Sequence, residues 1–106
     1  MDDGFTQLQQ AFIAGIPDRL SRMQQLYDAL TERRDGTDQA PLVLLHRELH
    51  KLAGAAACYQ CDAISNCAEN LETWIEEHLT EAPLAQSRLE QLQIRLDSLG
   101  QVCSHS

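Results

Sequence analysis

Pro41-Leu42-Val43-Leu44-Leu45-His46-Arg47-Glu48-Leu49-His50-Lys51-Leu52-Ala53-Gly54-Ala55-Ala56 is the stretch on which the fold turns. Leu42, Leu45, Leu49, Leu52 and Ala56 recur at the three- and four-residue steps of one helix face. At about 100° per residue, Leu45, Leu49, Leu52 and Ala56 lie roughly 200–260° around the helix from His50. The remaining circumference carries His46, Arg47, His50 and Lys51. A helix divided in this way buries one face and leaves the other to water.

The same period extends in both directions. From about Phe5 to Arg33 the stripe is Leu8, Phe12, Ile16, Leu20, Met23, Tyr27 and Leu30, interrupted at Gly15 and Pro17, where a kink or a separate short helix is expected. A loop over Arg34–Asp38 follows, with Asp38 as candidate N-cap and Pro41 in the first turn of a helix running from about Gln39 to Tyr59. A tight turn at Gln60-Cys61, with Asp62 as cap, leads to a helix facing inward through Ile64, Cys67, Ala68, Leu71, Ile75 and Leu79. Thr80 and Pro83 suit the start of a last helix, whose stripe is Ala85, Leu89, Leu92, Leu96, Leu99 and Cys103 and which frays near Gly100. Strand signals are missing. The expectation is an all-α fold: an antiparallel up-down-up-down four-helix bundle, with room for a short extra N-terminal helix, forming one domain over residues 1–106.

Composition narrows the function. Formal net charge is −8, with one lysine and seven arginines, which argues against nucleic acid as a partner. No apolar run of about 18 residues is present, and Met1-Asp2-Asp3-Gly4 does not open a signal peptide. A soluble, cytoplasmic domain without membrane contact is expected, with Cys58, Cys61, Cys67 and Cys103 as thiols rather than disulfides.

His50 faces away from the leucine stripe and is expected to be exposed. Val43, His46, Arg47, Ala53, Gly54 and Ala57 share its side of the helix. Helical side chains lean toward the N-terminus, so a side chain at position 54 would cover the ground beside His50, and glycine leaves it open. Glycine inside a helix costs up to about 1 kcal/mol relative to alanine. Either close helix packing or access to His50 must offset that cost.

Leu49-His50-Lys51-Leu52-Ala53-Gly54-Ala55-Ala56 resembles the signature of histidine-containing phosphotransfer (HPt) domains: a histidine, an apolar residue two later, glycine four later, then small residues. Leu71-Glu72 stands where the family has Leu-Glu, and Phe12-Ile13 with Pro17-Asp18-Arg19-Leu20 is similar to its first long helix. The resemblance covers about Phe5 to Leu99. Two positions depart from it: Ala53 where many members have lysine, and Gln60 where many have glycine.

The resemblance implies a phosphorelay intermediate. His50 would accept a phosphoryl group from a receiver-domain aspartate and pass it to the aspartate of a response regulator. Neutral imidazole is a good nucleophile. Arg47 and Lys51 would attract the phosphate charge, and Val43, His46, Ala53, Gly54 and Ala57 would serve partner access and docking. The partners implied are receiver domains of a hybrid sensor kinase and a response regulator, meeting a monomer. The chain would need no cofactor of its own, with Mg2+ expected in the receiver. No P-loop or glycine-rich nucleotide box is present, so kinase activity is not expected, and a place within a hybrid histidine kinase is compatible.

The reading from another class is a non-catalytic helical interaction module, or a metal-binding module based on cysteine. Cys58-x-x-Cys61 with Cys67 and either His46 or His78 has zinc-ligand chemistry. However, Cys67 and Cys103 fall on apolar stripes, where cysteine acts as a small hydrophobe. His46 and His50 are spaced to chelate, but with no carboxylate placed beside it His46 reads as a polar flank. No metal is assigned. Glu69, Glu72, Glu76, Glu77 and Glu81 read as a solvated face.

Overall fold

The computed structural model describes residues 3–32, 40–81 and 84–104. Its elements are α1 (Asp3–Ala14), α2 (Ile16–Glu32), α3 (Ala40–Cys58), α4 (Asp62–His78), a 3-10 turn (Leu79–Glu81) and α5 (Gln86–Ser104), with no strand among the described residues. The break between α1 and α2 falls at Gly15, so the N-terminal segment is a short helix followed by a longer one. The Asp38 cap and Pro83 lie outside the described residues.

Helices α2 to α5 form the antiparallel bundle. Tyr27 Oη on α2 donates to the Leu89 carbonyl on α5, and the amides of Gln24 and Gln93 pair one turn further along. Across α3 and α4, the Ser65 hydroxyl donates to the Ala53 carbonyl near the turn, while His46 faces Glu76 toward the other end. Leu42, Leu45, Leu49, Leu52 and Ala56 are fully buried, as are Ile64, Ile75, Leu92 and Leu99. Four stripes thus meet in one core. No described helix is long and apolar enough to cross a membrane.

The short α1 packs on the end of α3. Phe12 stacks on Tyr59 at 5.3 Å, and Gln9 Nε2 donates to the Tyr59 carbonyl at 2.7 Å. Leu8, expected in the stripe, is 56% exposed, because α1 covers only this end of the bundle. Other boundaries also differ. Cys61, not Asp62, precedes α4, and it makes no side-chain cap. Thr80 lies in the 3-10 turn, and α5 begins only at Gln86, after Ala85 has offered its carbonyl to Arg88 and Leu89. Ala85 is exposed. Gly100 does not fray the helix, which runs on to Ser104 because Cys103 remains in the core.

The α3–α4 turn gives a physical reason why glycine would suit position 60. Cys61 N–H bonds the Ala56 carbonyl and Gln60 N–H bonds the Ala57 carbonyl, the paired pattern of a Schellman C-cap. The motif needs a left-handed residue, and Gln60 takes it with φ of 60°. A residue with a Cβ pays roughly 1–2 kcal/mol for that conformation. Gln60→Gly should therefore raise the unfolding free energy by about 0.5–1 kcal/mol, the relief being partly cancelled by glycine's freedom in the unfolded chain. Urea unfolding checks it, and a lower midpoint would contradict the assignment.

Candidate functional site

α3 presents His50 to solvent, with its side chain 75% exposed. One flank belongs to α4, whose Glu72 side chain is only 14% exposed and whose Oε2 lies 2.7 Å from His50 Nδ1. A carboxylate only accepts, so Nδ1 carries the ring proton and donates it. In the neutral ring the lone pair is then on Nε2, the nitrogen away from Glu72. Because Glu72 is held by the packed face of α4, this one contact sets both the tautomer and the direction of the ring.

The opposite flank is basic but engaged. Glu48, 8% exposed, receives Arg22 Nε from α2 at 3.2 Å and Lys51 Nζ at 3.8 Å. The single lysine is thus drawn toward the α2 side. Arg47, one turn before His50, is exposed and forms no ion pair among the described residues.

Beyond His50 the surface opens. A shallow groove between α3 and α4 is bordered by His50, Gly54, Ala57, Glu69, Asn70 and Thr73. A Cβ built on Gly54 would meet nothing within 4 Å. Close packing therefore does not demand this glycine; the small residues that let α3 and α4 approach are the buried Ala53, Ala56, Ser65 and Ala68. Close helix packing is thus not what offsets the cost of Gly54.

Val43 is 44% exposed, and Ala57 is exposed too. Ala53 does not belong with them. It is 5% exposed, since its position, about 60° from His50 toward the leucines, lies in the seam that α4 covers. Its edge borders the groove, but a partner does not reach it face on. His46 also differs from expectation: it has carboxylates beside it, with Nε2 3.1 Å from Glu76 Oε1 and 3.7 Å from Glu72 Oε2. Sequence reasoning passed over Glu72, Glu76 and Glu48 as contacts. The spacing held a signal for the first two, because 50 and 72, like 46 and 76, lie equally far on either side of Cys61 in an antiparallel pair.

Among the described residues, no cysteine joins a cluster of three potential ligand atoms within 4.8 Å of one another. Burial, with Cys67 and Cys61 nearby, pushes the Cys103 thiol up to about 11, and burial also raises Cys67. Burial thereby disfavours the thiolate form at both.

A family model described as Hpt domain matches residues 7–102. No curated protein and no solved structure matches the chain.

Proposed function

Because the chain belongs to the Hpt domain family, whose members carry phosphoryl groups on histidine in phosphorelays without kinase activity of their own, we propose that His50 is its phosphoacceptor. The observation that carries this is the pairing of His50 Nδ1 with Glu72, which leaves Nε2 as an outward-facing nucleophile. Nε2 attacks the phosphorus of a receiver's aspartyl phosphate. The N–P bond forms as the P–O bond to the aspartate breaks, and the electron pair returns to that carboxylate. The ring becomes cationic with Nδ1–H still in place, and Glu72 faces the new charge. Transfer to the next receiver is the reverse sequence.

Arg47, unpaired among the described residues, is the cation best placed to meet the incoming phosphoryl oxygens, with Lys51 adding field from its place beside Glu48. Val43, Gly54 and Ala57 form the docking ground, with His46 at its α4 edge. The receivers are those of a hybrid sensor kinase upstream and a response regulator downstream, and they supply Mg2+. The test is to mix the chain with a phosphorylated receiver domain and map the phosphate. One acid-labile phosphate per chain, on His50, is expected; no transfer from any of several receivers, or a phosphate mapped to another residue, contradicts the assignment.

Position 54 offers a separate check. Gly54→Ala should stabilise the fold by up to about 1 kcal/mol, since helix propensity improves and nothing is displaced. Gly54→Leu should also fold, but its side chain leans over the approach to His50. Transfer to it should fall at least about tenfold, the equivalent of roughly 1.4 kcal/mol of lost docking. Unchanged transfer rates in Gly54→Leu would remove access as the reason for the glycine.

A further inference from the structure

His46 Nε2, Glu72 Oε2 and Glu76 Oε1 converge from two helices, each within 4.8 Å of the others. We propose that they form a binding site for a borderline divalent transition-metal cation, Zn2+ being the representative, on the flank of His50. The site stands whether or not His50 carries phosphate.

The distances suit such an ion. Zinc bonds nitrogen and oxygen ligands at about 2.0–2.2 Å, so two ligands on a tetrahedron sit about 3.4 Å apart. His46 Nε2 is 3.1 Å from Glu76 Oε1 and 3.7 Å from Glu72 Oε2, one spacing on each side of that edge. The ligand types agree as well: one imidazole and two carboxylates leave a fourth position for water, facing the solvent beside Glu76, whose side chain is 55% exposed. The nitrogen ligand favours zinc-like ions over Mg2+ and Ca2+, which take oxygen.

Hydrogen bonding alone leaves the cluster undersupplied. Two carboxylates approach one imidazole nitrogen, and that nitrogen offers at most a single proton. Glu72 is largely withdrawn from water and also accepts from His50 Nδ1. A divalent cation would satisfy the imidazole lone pair and both carboxylates together. His50 would then be the outer hydrogen-bond donor to the ligand Glu72, an arrangement that orients metal ligands generally.

Titration calorimetry of Zn2+ into the reduced, intact chain tests the site, with excess Mg2+ present. One bound Zn2+ per chain is expected. His46→Gln and Glu76→Gln should each weaken it at least about tenfold, since losing even an outer-shell partner costs about 10–100-fold. Both substituted residues lie at the surface, and circular dichroism checks that the variants fold. A doubly substituted Cys58→Ser, Cys61→Ser chain should bind as the native one does. The Co2+ form should lack the near-ultraviolet sulfur-to-cobalt band. Absence of binding, binding unmoved by both His46→Gln and Glu76→Gln, displacement by Mg2+, or a sulfur-to-cobalt band would each overturn the proposal.

Discussion

A His50→Gln chain mixed with a phosphorylated receiver should retain no acid-labile phosphate, while its circular dichroism and unfolding midpoint match the native chain. The first half follows from chemistry. A carboxamide has no nitrogen lone pair able to hold a phosphoryl group, and the nearest imidazole does not replace it. His46 is turned toward Glu72 and Glu76, with its side chain 26% exposed. The second half follows from exposure. His50 is three-quarters open to water, and its hydrogen bond to Glu72 lies at the surface. Surface substitutions usually change stability by within about 0.5 kcal/mol. The two readouts separate a lost nucleophile from a lost fold. Phosphate retained by the folded variant would remove His50 from its role.

Leu45→Ala should lower the unfolding free energy by about 2–5 kcal/mol. Leu45 has no exposed surface and sits on the buried face of α3. Truncating it removes apolar burial and leaves a cavity that the surrounding core only partly refills. A domain of this size has about 5–15 kcal/mol in total, so the variant should approach the edge of folding. Denaturant unfolding reads this directly. Leu8→Ala makes the contrast: the same deletion at a residue 56% exposed should cost far less. Similar losses at both positions would mean that Leu8 is as deeply packed as Leu45, against the exposure the structure gives it.

Leu8 illustrates a limit of periodicity. It keeps the spacing of Phe12 and Ile16, but a stripe states only which face could be buried. Whether a partner lies opposite depends on how far α1 reaches along the bundle. The ends of α4 and α5 escaped for a related reason. Asp62, Thr80 and Gly100 are residues that often mark boundaries, yet the core position of Cys103 carried α5 past Gly100. Gln60, by contrast, was readable as a departure from a glycine position, and its left-handed backbone gives that departure its physical cost.

The helical character, the four apolar stripes, the outward direction of His50 and the identity of the family were all legible in the order of residues. Each depends on an angle around a single helix or on a local motif, and one chain segment is enough to set them. The partner of His50 Nδ1, the carboxylates around His46, the burial of Ala53, the pull of Glu48 on Lys51 and the empty space above Gly54 were settled only by packing. These are relations between helices. They follow from the register of α3 against α4 and α2, and that register comes from the turn at Gln60 and from how the small residues along the seam close together.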